Sequence, residues 1–388
     1  MNIGEILRLV IALFILFTAL SVVVLSLVWI ERKFLGRLQR RLGPTRTGPF
    51  GLMQPVADAV KLIVKEDLIP SWADKAIFWV APLLVIIPSF MIWVTIPAAQ
   101  GLVLRNLDLG LFVVVALLVL SILGIVLAGW GSANKYGALG GLRAAAQLIS
   151  YEVPLVMVVV SVAIIAESLD LRIIAANQVP LGAAQDVLKE YNANGLSLGN
   201  HVGLPFVLIF PLGLVLFLIA GLAEVGRTPF DIYFAESEIV GGPFVEYSGA
   251  HWSVFFLAEY INTFVIAALT ALLFLGGWYG PGLQPWVWFL LKTYMIVLVI
   301  FWIRGTFPRL RIDQLMAFGW KCMIPLSFIG VVMVSVYRFY DWPDWSLSLM
   351  SVAVLVAVSY GLYRRFTQPV LRLAQKYGRQ PGRPANVS

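Results

Sequence analysis

Six carboxylates and one guanidinium stand where an apolar chain has little room for charge. Glu224, Asp231, Glu236, Glu238 and Glu246, with Arg227 among them, fall within residues 224–249, between two apolar runs. Glu259 follows, eight residues inside the run that begins at His251. At about 1.5 Å per helical residue, that places Glu259 about 10 Å deep. An unpaired acid near mid-membrane costs about 2.5–3.5 kcal/mol, so such a group faces a hydrated cavity or a partner. A carboxyl held in that setting is suited to passing protons near neutral pH. A surface loop of solvated acids would account for Glu246, but not for Glu224 and Glu259. Asp231 has a structural reading of its own: Thr228-Pro229-Phe230-Asp231 has the pattern of a helix start, with Thr as N-cap and Pro in the first turn.

Two further segments carry charge. "ERKFLGRLQRRLGPTRTGPFGLMQPVADAVKLIVKEDLIP" (31–70) is too charged to span a bilayer. From Met53 to Ile69, Met53, Val56, Val60, Ile63 and Val64 recur at helical spacing, with Asp58, Lys61 and Lys65 on another face. That pattern predicts an amphipathic helix lying in the membrane interface. Lys33, Arg37 and Arg40 read as a positive anchor. Glu31, Arg32 and Arg41, near Gly43-Pro44 and Gly48-Pro49, form charged walls for an apolar groove that suits an amphipathic ligand such as a quinone. In "GWGSANKYGALGGLRAAAQLISYEVPL" (129–155), Arg143, Gln147 and Glu152 come before or at the start of an apolar span. Glu152 precedes Pro154 by two residues, which leaves open a carboxylate at a helix start or a proline kink.

The elements that must hold these groups follow from composition. The chain has 388 residues, 60% hydrophobic and 13% charged, with a mean hydropathy of +0.89. Soluble domains are about 25% charged, so this is an all-α polytopic membrane protein. Spans are expected at 6–29, 77–99, 109–129, 150–167, 204–223, 252–275, 285–303, 320–338 and 346–363. These form one membrane domain over 1–366. It carries a cytoplasmic loop (31–75) containing the amphipathic helix and an acidic cytoplasmic loop (224–251). A cytoplasmic, partly disordered tail (367–388) follows. Lys and Arg crowd the loops after the odd-numbered spans and the tail. The opposite side keeps only Arg8, Arg105, Arg172, Lys189 and Arg338. The N-terminus is therefore expected outside and the C-terminus in the cytoplasm. Lys292, near the outer end of its helix, can snorkel.

The net charge of +7 clusters at membrane loops, which points to orientation and away from nucleic acid. One cysteine, Cys322, cannot ligate an iron–sulfur cluster alone. His201 and His251 fall on opposite sides, which argues against a bis-histidine haem. No metal-ligand spacing, nucleotide loop or nucleophile elbow is present. Any redox chemistry this chain serves runs through other subunits. A secondary transporter would show repeated halves with broken helices, and no internal repeat is seen.

Read together, "ERKFLGRLQRRLGP…GPFGL.QP.AD..KL..KED.IP", "NKYGALGGLRAAAQLISYEVPL", "LAE..RTPFD…AESE", "VEYSG" and "RGTFPRLRIDQLM.FGWK" resemble the H-subunit family of respiratory complex I, a membrane component of the proton-pumping NADH:quinone oxidoreductase. The likeness runs from about residue 29 to 330. It implies a bacterial inner-membrane protein with quinone as substrate and no redox centre of its own. Flavin and iron–sulfur clusters would reside on peripheral redox-arm partners, with antiporter-like subunits alongside in the membrane. Carried over by position, Glu31, Arg32, Arg41, Arg46, Asp58 and Phe256 match the quinone chamber. Tyr151, Glu152, Arg143, Glu224, Glu236, Glu238, Glu246 and Glu259 match the proton relay. The resemblance has one departure: Tyr233-Phe234 replaces a customary Pro-Glu, so one carboxylate is missing. Gly226 also stands where Asn is common. A related membrane component of an ion-pumping hydrogenase, or of another ferredoxin-linked complex, is the rival reading.

Overall fold

The computed structural model describes residues 3–180, 203–234 and 236–377, with side chains except at 3–6, 9, 236–237, 362 and 365–377. His201 and the tail beyond residue 377 lie outside the described residues. The regular elements are helices: α1 Ile3–Leu38, α2 Gln54–Val64, α3 Lys75–Thr95, α4 Gly110–Gly131, α5 Lys135–Ala166, α6 Leu171–Asn177 and α7 Phe206–Ile209. Then come α8 Pro211–Val225, α9 Glu236–Ile239, α10 Gly249–Phe274, α11 Pro285–Thr306, α12 Ile312–Phe318, a π-helical turn Gly319–Met323, α13 Ile324–Phe339 and α14 Asp344–Tyr377. Eight helices among the described residues are long and apolar enough to cross a membrane, with α12 through α13 acting as one, and α8 is a shorter apolar helix.

Several elements run differently from their sequence outlines, and each for a local reason. α1 continues to Leu38, so Glu31, Arg32, Lys33 and Arg37 are on its last turns and not in a loop. Nothing in ERKFLGRL forbids a helix, and the chain turns only at Arg40, whose φ is +54°. α5 begins at Lys135, capped by the Asn134 side chain accepting from the Tyr136 N–H at 2.9 Å. Glu152 is therefore mid-helix, and α5 passes through Pro154 unbroken. Such prolines are tolerated in membrane helices because neighbours satisfy the freed carbonyl. The span expected at 204–223 is two helices, α7 and α8, parted at Phe210.

α10 is the axis of the bundle. Every residue from Thr263 to Phe274 is buried, and α1, α2, α3, α8 and α11 pack around it. α3 and α4 approach closely because Gly124 faces Val85: a Cβ there would lie 2.5 Å from its Cγ2. Small residues at such crossings substitute for the missing hydrophobic drive between helices in lipid. The outward faces of α1, α4 and α14 expose Phe14, Ile15, Phe112, Leu123 and Val356, a surface fit for acyl chains. Lys292 is half-buried, and its Nζ donates to the carbonyls of Leu275, Gly277 and Tyr279 at 2.6, 3.0 and 2.8 Å, closing the end of α10.

Candidate functional site: a carboxylate–arginine cluster beside three cavities

The acidic stretch starts where α8 stops. Gly226, at φ +69°, takes the left-handed position after the helix. Its N–H bonds to the Ala223 carbonyl and that of Arg227 to Leu222, the pairing of a Schellman stop. Residues 228–231 then form no helix, contrary to the capping pattern, and Thr228–Pro229 is cis. Tertiary partners take the groups a helix would have used. Gln147 on α5 donates Nε2 to the carbonyls of Ala223 and Phe230 at 2.8 and 2.7 Å. The Pro229 carbonyl accepts from Leu310 N–H, and the Asp231 carboxylate meets Arg309 at 3.0 Å. Burial pushes Asp231 above the ordinary carboxylate range, and Arg309, Arg304 and Arg227 only partly offset it.

This loop delivers Arg227 into the bundle, where it is 4% exposed. Its guanidinium lies 3.2 Å from Glu259 and 3.6 Å from Glu31, over the Tyr260 ring at 4.4 Å. Burial works against its charge, but the Glu259 and Glu31 carboxylates outweigh that and hold its pKa above the ordinary arginine value. Glu31 also bonds Arg304, from the end of α11, and accepts from the Tyr260 hydroxyl at 2.8 Å. Three helices and one loop thus converge on two carboxylates and two arginines.

Three cavities flank the cluster in series. An apolar groove of about 620 Å³ opens between α1, α2 and α10, lined by Phe17, Val24, Leu62 and Leu257, with Arg32 and Asp58 in its wall. Trp252 and Phe256 divide it from a polar chamber of about 330 Å³ that contains Arg227, Asp231, Tyr260, Arg304 and Arg309. Beyond lies an inner cavity of about 30 Å³ with Glu224, Asn262 and Tyr233 in its lining. Glu259 faces both the chamber and the inner cavity.

Of the residues singled out in the sequence, Glu31, Glu224, Glu259 and Phe256 gather here. Arg32 and Asp58 pair at 2.5 Å, and Gln54 also donates to Asp58 at 3.2 Å. Arg41 and Arg46 are exposed and form no ion pair among the described residues. Arg143 pairs with Glu238 at 2.7 Å on the flank of the bundle. Glu246 is not simply solvated, since it accepts from the Asn134 side chain. Glu236 opens α9, but its side chain lies outside the described residues. Tyr151 is buried and donates to the Leu315 carbonyl at 2.9 Å. Glu152, also on α5, lines none of the three cavities. Tyr260 and Asn262 carry no sequence signal of their own, and Arg304 and Arg309 enter only as part of the segment RGTFPRLRIDQLM. Arg227 is marked there as the single base in the acidic stretch and as part of the segment LAE..RTPFD, without a partner named.

No group of three His, Cys, Asp or Glu side chains able to hold a metal occurs among the described residues. The comparison with known families decides what kind of protein builds this site. The model for NADH dehydrogenase matches residues 11–335. The chain belongs to the NADH dehydrogenase family. Among curated relatives, the NADH-quinone oxidoreductase H subunit of Dehalococcoides mccartyi (strain CBDB1) is 42% identical over 361 residues, 93% of this chain and 95% of the relative. The corresponding H subunit of Geobacillus kaustophilus (strain HTA426) is 44% identical over 313 residues, 79% of this chain and 87% of the relative. The NADH dehydrogenase match takes in the whole cluster and all three cavities, and leaves out α14.

One local feature of this NADH dehydrogenase family member lends itself to a direct test. A Cβ on Gly226 would sit 2.2 Å from the Tyr233 hydroxyl and 2.4 Å from its ring. Tyr233 is fixed in place, with its hydroxyl donating to the Val225 carbonyl at 3.3 Å. Burial, reinforced by Glu259 and Asp231, pushes its phenol well above the ordinary value, so it stays protonated. Asn tolerates a positive φ better than most residues, so steric overlap decides the outcome. Gly226→Asn is expected to cost about 1–3 kcal/mol. Tyr233→Ala is itself destabilising, so the contact is read as a cycle: added to Tyr233→Ala, Gly226→Asn should lower the thermal midpoint of the purified protein far less than it does in the wild type. An equal cost of Gly226→Asn in both backgrounds would refute the contact.

Proposed function

We propose that the chain is the membrane subunit of a proton-translocating NADH:quinone oxidoreductase, forming part of its quinone chamber and a carboxylate relay. The observation that carries the reading is the series of cavities. A groove of about 620 Å³ is within the range for small-molecule sites, and its apolar walls suit a quinone tail. Its Arg32–Asp58 wall suits a polar headgroup. The charged chamber lies directly behind Trp252 and Phe256.

Electrons reach the quinone from iron–sulfur clusters on a peripheral arm, which also carries flavin; this chain supplies none. Reduction to quinol takes two electrons and two protons, so the charge near Arg32, Asp58 and Glu31 changes during turnover. Glu31 and Glu259 compete for one guanidinium, Arg227. Neutralising Glu31 strengthens the hold of Arg227 on Glu259, and recharging it relaxes that hold. The quinone event is thereby felt at an acid facing the inner cavity. The protein works in a bacterial inner membrane beside antiporter-like subunits. The Lys/Arg distribution supports an N-terminus outside and a C-terminus, with the cluster, on the cytoplasmic side, with α7 and α8 together making a ninth crossing.

Purifying the complex by a tag on this chain tests the assignment. Co-purification of a flavin and iron–sulfur arm with inhibitor-sensitive NADH:quinone reductase activity is expected. A hydrogenase arm, or one indifferent to NADH, would overturn it. Within that complex, Ala59→Trp should fill the groove, which Ala59 lines. KM for quinone is expected to rise about tenfold, about 1.4 kcal/mol of binding, with kcat nearly unchanged. An unaltered KM would place quinone elsewhere.

A further inference from the structure

Two side chains among the described residues line both the polar chamber and the inner cavity: Glu259 and Phe234. Every other charged group of the chamber, Arg227, Asp231, Arg304 and Arg309, stops on the chamber side. Glu224 lies on the inner side alone. Phe234 is held by aromatic neighbours, its ring 5.0 Å from that of Tyr233 and 5.1 Å from that of Phe244. Phe244 in turn packs on Phe255 at 4.3 Å. The partition is therefore an aromatic layer with one carboxylate set in it.

The inner side has the makings of a proton acceptor. Glu224 Oε2 and Asn262 Oδ1 are both buried without a hydrogen-bond partner, and both residues line the cavity. A space of about 30 Å³ admits a water, which needs two to four polar partners of this sort. Asn262 is three residues after Glu259 on α10, which puts the two on one face of the helix. The amide is thus positioned to hold a water against either carboxylate.

We propose that Phe234 seals the chamber from the inner cavity and that Glu259 is the single group passing protons across the seal, to a water positioned by Asn262 and on to Glu224. The inference rests on the coupling role proposed above. In each transfer the Glu259 carboxyl takes a proton on the chamber side, gives it to the inner water, and returns to the carboxylate held by Arg227.

The test uses the intact complex in liposomes, with quinone reduction and proton translocation measured separately. Glu259→Gln should abolish most translocation. Phe234→Glu sets a second carboxyl in the partition, so Phe234→Glu with Glu259→Gln should recover at least several-fold over Glu259→Gln alone. Where Phe234→Glu does not assemble, Phe234→Ala takes its place, because losing the ring joins the two cavities for water. Asn262→Leu should slow translocation more than Asn262→Asp, which keeps an acceptor. No recovery in an assembled double variant overturns the proposal, as does full translocation in Glu259→Gln. A wild-type complex that reduces quinone without moving protons would instead refute the coupling role itself.

Discussion

Replacing Arg227 with methionine is expected to remove about 3–5 kcal/mol of stability, the usual consequence of leaving one side of a buried ion pair alone. Two carboxylates depend on this guanidinium, Glu259 at 3.2 Å and Glu31 at 3.6 Å. Glu31 keeps Arg304 and the Tyr260 hydroxyl after the substitution, whereas Glu259 has no other ion pair among those identified in the cluster. The loss should therefore fall mainly on Glu259. Adding Glu259→Gln to Arg227→Met should recover a measurable part of it, giving non-additive thermal midpoints for the purified complex. Arg227→Lys is predicted to assemble but work poorly. An ammonium is a point charge, unable to face two carboxylates while lying flat on Tyr260. Strictly additive midpoints would mean that the two side chains do not sense one another, and the link between chamber and relay would fail.

The membrane class and the acids at 224 and 259 are legible in the sequence because both signals are local. A run of apolar residues declares a span, and a carboxylate inside one declares a need for a partner. The partner is not local. Arg304 lies 273 residues from Glu31 along the chain, and only the packing of α1 against α11 brings them together. Tyr260 looks like any aromatic on a buried helix until its hydroxyl meets Glu31.

The local signal at Thr228–Asp231 is overridden for a related reason. Gln147, Leu310 and Arg309 donate to the Phe230 carbonyl, the Pro229 carbonyl and the Asp231 carboxylate, so tertiary donors hold this segment where a capped helix would have used its own backbone. The charged start of α5, with Lys135 and Arg143, hides half of a continuous helix. The two departures at 226 and 233, unconnected in the sequence, prove to be one contact: the tyrosine ring occupies the space that a side chain at 226 would need. Phe234, a missing acid by resemblance, is part of the wall between two cavities.

The second large effect is expected at Glu224, and it should differ in kind from that at Arg227. Glu224 takes part in none of the ion pairs of the cluster, and its Oε2 has no hydrogen-bond partner. Glu224→Gln therefore strands no counter-charge and keeps the shape of the side chain, so the complex should assemble with an unchanged thermal midpoint. What it removes is the ability to exchange a proton, a function typically worth about 10²-fold or more in rate. Coupled NADH:quinone turnover is predicted to fall about 10²-fold, while electron delivery from NADH to an artificial acceptor on the peripheral arm stays at the wild-type rate. Glu224→Asp, which retains the carboxyl about one methylene farther back, should regain part of the activity. If Glu224→Gln turned over and pumped like the wild type, the inner cavity would be a packing defect and the relay would have to leave Glu259 by another route. If instead the variant lost assembly and activity together, Glu224 would be a structural acid.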